Sequence, residues 1–154
     1  MPAVRTKEFL QRHHIAYTTI PHPPAYTAQE IAAEAHIPGK EMAKTVMVKL
    51  DGKLAMLVLP ATTKIDFNRL KQCTGAQEVE LARESEFLPL FPDCETGAMP
   101  PFGDLYGVDV MVADRLAEDE EIAFNAGTHR ELIRMSYQDF CNLVHPTILH
   151  FSKG

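Results

Sequence analysis

The 154-residue sequence has no tryptophan and only three cysteines, Cys73, Cys94 and Cys141, which are widely spaced and form no C-x-x-C pair. This pattern is typical of reduced thiols in a cytosolic protein and argues against a disulfide-rich fold. No apolar run approaches the roughly 20 residues that cross a bilayer, and no secretory signal pattern opens the chain. We therefore expect a cytoplasmic protein that does not engage a membrane.

The motifs of several common catalytic sites are also missing. The sequence contains no G-x-S-x-G elbow, no Walker A loop and no H-E-x-x-H pair. No histidine neighbours a cysteine in sequence, so a catalytic thiol is not indicated. The pairs His13-His14 and His145…His150 lack supporting cysteines or carboxylates. We accordingly expect no metal site and no cofactor.

Positive charge is in short supply, with 15 basic against 21 acidic residues and a net charge of −6. This balance argues against nonspecific coating of nucleic acid, and we expect no DNA partner. Residues 1–49 carry six basic and four acidic side chains, whereas residues 50–154 carry nine and 17. An anionic partner should therefore approach the N-terminal third, although charges that merely solvate two faces would give the same pattern.

The length and composition fit one globular domain spanning residues 1–154, with 45% hydrophobic and 23% charged residues. A helix is expected over residues 4–13, and Thr27 with Glu30 predicts the capping box of a second helix. Strands over 45–50 and 53–60 flank Asp51-Gly52, a pair that suits a type I′ turn. The second of these strands is apolar on both faces, which predicts a central, covered position.

Helices and strands continue to alternate in the second half of the chain. Asp66 is a candidate cap for a short helix, and Ser136 with Asp139 predicts a final helix that ends near His145. The other expected elements are a helix over 83–88 and strands over 107–112, 121–125 and 132–135. Tight hairpins imply antiparallel pairs, so the fold class is α/β with a mixed sheet flanked by helices.

Three features could carry chemistry, although each alone is most often structural. Lys44 stands immediately before the first predicted strand, and residues 97–103 form a loop stiffened by glycine and proline. Residues 125–129 join two strands and place His129 beside a glycine. In this order, Lys44-Thr45, the G-x-x-x-P loop with its following Phe102-Gly103, and the late Gly-x-His segment resemble the YbaK/ProX family of aminoacyl-tRNA deacylases. That family is related to the editing domain of bacterial prolyl-tRNA synthetases.

The resemblance implies a barrel-like mixed sheet and hydrolysis of the ester between a wrongly attached amino acid and the terminal adenosine of tRNA. It implies that Lys44 holds the terminal nucleotide and its phosphate, that the loop from Gly97 positions the carbonyl, and that His129 helps select or place the reacting group. The acceptor end of aminoacyl-tRNA is then the partner, and a synthetase is a further candidate. The residues expected to contact substrate are Tyr26, Thr45, Met47, Ala98, Met99, Pro100, Pro101, Phe102 and Gly127.

Physical chemistry is compatible with this interpretation, because an aminoacyl ester is already activated and needs no covalent protein nucleophile. Two alternatives stay open: a noncatalytic module that binds tRNA or an aminoacyl ligand, and a different small esterase or amidase that uses the same pocket. Tyr26 and Met47 are equally consistent with core positions. The sequence does not select the amino acid, the tRNA or the oligomeric state.

Overall fold

The computed structural model describes residues 4–22, 33, 37–95 and 98–153. Tyr26, Gly97 and the helix expected after Thr27 lie outside these residues, apart from the helical Ala33. The helices are α1 (Val4–Arg12), α2 (Phe67–Thr74), α3 (Glu84–Phe87) and α4 (Tyr137–Val144). The strands are β1 (Tyr17–Pro21), β2 (Ala43–Leu50), β3 (Lys53–Pro60), β4 (Lys64–Ile65), β5 (Val79–Leu81), β6 (Asp109–Ala113), β7 (Glu121–Asn125), β8 (Glu131–Ser136), β9 (Thr147–Leu149) and β10 (Ser152–Lys153). Short 3-10 turns span Leu88–Leu90, Gly103–Tyr106 and Asp114–Glu118.

The larger sheet has the strand order β5-β2-β3-β6-β9. β2 is antiparallel to β3 and β5, while β3–β6 and β6–β9 are parallel pairs. The predicted β2–β3 hairpin is confirmed, and both of its turn residues have positive φ, 50° at Asp51 and 84° at Gly52. β3 takes the expected central position, and the predicted mixed α/β sheet is present.

A second sheet, with the order β1-β8-β7, meets the larger one at a parallel bridge between Met42 and Ala123. β4 and β10 form a separate antiparallel pair. The described strands therefore make open sheets, and the closed form of the expected barrel is not reached. The physical reason is that the two larger sheets share one bridge rather than a continuous ladder.

The central core lies between the two larger sheets and is organised around Phe102, whose side chain is fully buried. The Phe102 ring makes edge contacts with Phe9 of α1, Phe124 of β7 and Phe140 of α4, at centroid distances of 5.8, 5.5 and 5.6 Å. Such T-shaped pairs stabilise the core beyond the contribution of the area that is buried. One loop aromatic thus contacts two helices and the smaller of these two sheets, which fixes the loop's position.

The helix signals in the sequence are confirmed where the structure describes them. The Asp66 carboxylate accepts hydrogen bonds from the N–H groups of Asn68 and Arg69 at the start of α2. The Ser136 hydroxyl accepts one from the Asp139 N–H at 3.0 Å, and α4 ends at His145 with φ of 50°. No helix in the described ranges is long and apolar enough to span a membrane.

Candidate functional site

The predicted loop and the predicted turn are held against each other by backbone hydrogen bonds. The Glu95 N–H donates to the Gly127 carbonyl at 2.8 Å, and the Gly127 N–H donates to the Ala98 carbonyl at 2.8 Å. We call residues 95, 98–103 and 126–129 the loop–turn junction. Two of the three sequence features that carried the family resemblance therefore meet in space, although about 30 residues separate them along the chain.

A carboxylate that the sequence analysis did not select holds the turn in place. Glu95 Oε1 accepts a hydrogen bond from the His129 N–H at 2.9 Å, and the Thr128 hydroxyl also donates to this side chain. These two bonds, the Thr128 bond first, lower the pKa of Glu95 below its ordinary value. Glu95 is thus a positioning residue for His129, and nothing local in the sequence marks it as one.

The loop is buried, and its glycine at position 103 is required by close packing. A Cβ atom at Gly103 would lie 2.6 Å from the Val108 carbonyl oxygen and 2.7 Å from Val110 Cγ2. The Val108 N–H donates to the Gly103 carbonyl at 2.8 Å, so the two backbones are pinned together. Glycine allows this approach because it lacks a side chain. The Phe102-Gly103 pair therefore anchors the loop.

The same loop offers backbone donors. The Ala98 N–H donates to the Glu95 carbonyl at 3.0 Å, and Pro100 and Pro101 carry no N–H at all. Among the described residues, no backbone carbonyl accepts a hydrogen bond from the Met99 N–H. This N–H is therefore a candidate donor to a ligand.

The apolar residues expected at the site belong mainly to the core. Met47, Met99 and Phe102 are 3%, 4% and 0% exposed and lie together in the central core. Ala98, Pro100, Pro101 and Gly127 are also buried, whereas Thr45 is half-buried. Met47 thus belongs to the same core cluster as the loop residues Met99 and Phe102. A direct contact between these side chains and substrate stays a prediction.

Lys44 lies on the opposite face of β2 from Met47. Lys44 is the second residue of β2, paired with Leu59, and not the residue before the strand as the sequence suggested. Ala43 and Met47 face the central core, while Val46 and Val48 pack on the other side of the sheet, the side of Lys44. Burial, followed by repulsion from the Lys64 ammonium, lowers the pKa of Lys44.

The start of β2 nevertheless runs beside the strand that leads into the junction. Met42 pairs with Ala123 in a parallel bridge, and both belong to one small buried cluster. Lys44 follows Met42 by two residues, and Asn125 follows Ala123 by two. Because side chains alternate along a strand, Lys44 and Asn125 lie on the same side of this bridge. Asn125 Oδ1 is buried and has no hydrogen-bond partner among the described residues.

The candidate residues come from three separate segments: Lys44 at the start of β2, Asn125 at the end of β7, and the loop–turn junction with His129. The loop and the turn are in direct contact, whereas Lys44 lies on the face of β2 that is turned away from the central core. The described ranges contain no group of three or more His, Cys, Asp or Glu side chains arranged to hold a metal ion. Sequence reasoning selected Lys44, the loop and His129, and it did not select Asn125 or Glu95. Asn125 is the first residue of the turn segment 125–129. Its polar side chain was the one feature of the sequence that could have marked it as a candidate.

Comparison with known proteins gives a family match over most of the chain. Residues 22–143 match the family model described as the aminoacyl-tRNA editing domain. Among curated proteins, a proline–tRNA ligase of Staphylococcus saprophyticus is 31% identical over 104 residues, covering 66% of this chain and 18% of the ligase. A proline–tRNA ligase of Bacillus mycoides is 24% identical over 116 residues, covering 75% of the chain and 20% of the ligase. The chain thus spans about a fifth of these relatives.

Solved structures show the same fold over almost the entire chain. One is described as a candidate trans-editing enzyme for prolyl tRNA synthetase, with a TM-score of 0.82, 18% identity and coverage of 99% of this chain and 97% of that one. Another is a crystal structure of a hypothetical protein, with a TM-score of 0.86, 20% identity and coverage of 97% and 99%. At these identities the likeness concerns the fold.

Proposed function

Because this chain belongs to the aminoacyl-tRNA editing domain family, we propose that it is a deacylase that removes wrongly attached amino acids from tRNA. Its substrate is the ester at the 3′-terminal adenosine, and its partner is the acceptor end of the tRNA. It acts in the cytoplasm, where charged tRNAs are used, and a synthetase that releases them is a further candidate partner. The whole chain, residues 1–154, serves as one editing domain.

The observation that carries this proposal is the contact between the glycine- and proline-rich loop and the turn that holds His129. The Gly127–Ala98 hydrogen bond of 2.8 Å joins the turn to the loop, and the Met42–Ala123 bridge sets Lys44 beside the strand that feeds the turn. Lys44 is distant in the sequence from the segment that contains Asn125 and His129. An ester-hydrolysing site without a covalent nucleophile requires such groups to converge on the bound ester.

The reaction itself needs only a positioned water and support for negative charge. The water oxygen adds to the ester carbonyl carbon, and its proton passes to solvent or to the departing ribose oxygen. Collapse of the tetrahedral intermediate breaks the bond between carbonyl carbon and ribose oxygen, which yields a free amino acid and a tRNA with its terminal hydroxyl restored. Backbone N–H groups that face the developing oxyanion lower this barrier.

The residues divide these tasks among themselves. The Lys44 ammonium binds the phosphate of the terminal nucleotide as a point charge. The N–H of Met99, together with the loop from Gly97, donates to the carbonyl oxygen as it becomes negative. The Asn125 side chain and His129 orient the aminoacyl group and the ribose, and the Glu95 carboxylate keeps His129 in place through its backbone. Met47 and Phe102 belong to the central core on which the loop packs.

The test is a panel of mischarged tRNAs incubated with the protein and with its Lys44→Gln variant, scored by release of the amino acid. Charge-assisted hydrogen bonds contribute about 1.5–3 kcal/mol, which corresponds to a loss of roughly tenfold to a hundredfold in kcat/KM. The matched control is Lys71→Gln. Lys71 is exposed on α2, and this substitution removes the same charge at a position outside the candidate site. We expect this control to retain wild-type activity.

Three outcomes would contradict the proposal. Equal turnover by wild-type protein and Lys44→Gln would remove the lysine from the mechanism. Binding of an aminoacyl-adenosine analogue without hydrolysis of any tRNA in the panel would instead indicate the noncatalytic module. Rapid cleavage of aminoacyl esters that carry no nucleotide would favour a general esterase. Thermal unfolding of each variant serves to show that the fold is intact.

A further inference from the structure

A groove on the Lys44 side of β2 extends beyond the chemistry described above, which uses only its Lys44. It encloses about 370 Å³, within the range of small-molecule sites. Its walls come from β2, β4, β5 and the first turn of α2. We call it the two-lysine groove, and its lining residues are Lys44, Val46, Lys64, Ile65, Phe67 and Leu81.

The floor of the groove is apolar and open to solvent. Phe67 is 37% exposed and Leu81 is 58% exposed, and these two are among the large hydrophobic side chains that the described surface leaves uncovered. An accessible aromatic ring beside aliphatic side chains forms a flat surface on which a planar group can stack.

The groove also carries two positively charged side chains. Lys44 and Lys64 are close enough to repel each other, and no carboxylate in the described ranges offsets that repulsion at Lys44. Other lysines of the chain do have acidic partners, such as Lys49 with Glu86 at 2.7 Å. Two ammonium groups over an apolar floor would be neutralised by an anionic ligand with a flat apolar part.

We propose that the two-lysine groove binds the nucleotide immediately 5′ of the terminal adenosine, with its base against Phe67 and the adjoining phosphate between Lys44 and Lys64. This inference rests on the proposed function, because it extends the substrate outward from the ester. Single-stranded nucleic acid combines the two features that the groove offers, a charged backbone and exposed base faces. The overall charge of −6 limits such binding to a short stretch of strand.

Binding of uncharged RNA tests the groove separately from catalysis. The probe is a fluorescent RNA hairpin that ends in the single-stranded 3′ sequence of a tRNA, measured by anisotropy over a series of salt concentrations. For single strands, each lost phosphate contact reduces the slope of log K against log salt by about 0.7. We expect that reduction for Lys64→Gln and no change for the control Lys71→Gln, which removes a lysine outside the groove.

Stacking is tested by changing the ring and keeping its apolar character. We expect Phe67→Leu to weaken binding about tenfold at every salt concentration, and Phe67→Tyr to retain wild-type affinity. The salt slope should stay unchanged in both variants, because neither alters a charge. Ring and charge effects can therefore be separated on one set of titrations.

Several results would overturn the inference. Wild-type slope and affinity in Lys64→Gln and Phe67→Leu would show that the groove does not bind RNA, and active deacylation in those variants would leave the proposed function standing. Equal affinity for a blunt hairpin without the single-stranded end would show that the protein binds the phosphates of the duplex and not the single strand. Conversely, variant-sensitive binding by a protein that hydrolyses no tRNA would support the groove and contradict the deacylase.

Discussion

Replacing Glu95 should loosen the turn that carries His129. In the structure the Glu95 carboxylate accepts hydrogen bonds from the His129 N–H, at 2.9 Å, and from the Thr128 hydroxyl. Glu95→Ala removes both acceptor oxygens, whereas Glu95→Gln keeps one acceptor oxygen, loses the charge and replaces the other oxygen with an NH2 donor. The two variants therefore separate the presence of an acceptor from its charge.

The size of the effect follows from the exposure of the carboxylate. Hydrogen bonds to charged groups contribute about 1.5–3 kcal/mol when shielded, but solvent screens this exposed side chain, which leaves about 1–2 kcal/mol for the pair. For a chain of this length, each kcal/mol shifts Tm by about 2–4 °C. We expect Glu95→Ala to lower Tm by roughly 2–8 °C at pH 7, and Glu95→Gln by roughly half of that.

The effect should disappear in acid, and its direction follows from the pKa of Glu95. The hydrogen bonds hold that pKa below its ordinary value in the folded protein, so the folded state binds the proton less readily than the unfolded chain. The contribution is therefore complete above the unfolded pKa of about 4.3 and is lost as the pH falls through the lower folded value. Wild type and Glu95→Gln should converge in that acid range.

The assay is thermal and urea unfolding of wild type, Glu95→Ala and Glu95→Gln at a series of pH values, with deacylation measured alongside. Glu8→Gln is the matched control, because Glu8 is an exposed carboxylate on α1. If the turn positions substrate, Glu95→Ala should lower kcat more than Glu95→Gln, and the conservative change should restore part of the activity. Unchanged Tm and unchanged kcat in Glu95→Ala would refute the reasoning.

Two further predictions concern the neighbourhood of the loop. Gly103→Ala should lower the free energy of unfolding by about 3 kcal/mol, because the added Cβ would lie 2.6 Å from the Val108 carbonyl oxygen. Gly107→Asn is the milder control, because no atom lies within 4 Å of the Cβ added there. Equal urea midpoints for the two variants would contradict this. Burial raises the pKa of the Cys94 thiol to about 11, so iodoacetamide at pH 8 should alkylate the exposed Cys73 first, with mass spectrometry as the measurement. Faster labelling of Cys94 would show that its surroundings are not closed.

Local structure was predictable wherever a few neighbouring residues determine it. Asp51-Gly52 predicted the hairpin because both residues tolerate positive φ, and the structure has both in that conformation. Asp66 and Ser136 predicted helix starts because their side chains accept from N–H groups two or three residues ahead. These signals concern adjacent atoms, so no knowledge of the fold is needed to interpret them.

Short and edge strands were beyond the reach of the sequence. β1, β4, β5, β9 and β10 have no strong alternation, and β4 and β10 contain two residues each. Such strands exist because a partner elsewhere in the chain supplies their hydrogen bonds, as Ser152 and Ile65 do for each other. The distinction between a closed barrel and joined open sheets likewise depends on which strands meet.

The candidate site divides in the same way. Residue types and their order in the sequence were enough to identify the family and to select Lys44, the glycine- and proline-rich loop and His129. Only the folded chain determined that Lys44 lies on the face of β2 opposite Met47, that Glu95 binds the turn, and that Lys64 and Phe67 form a groove with Lys44. A motif records which chemical groups are present, whereas directions and neighbours arise from pairing between segments that are distant in the chain.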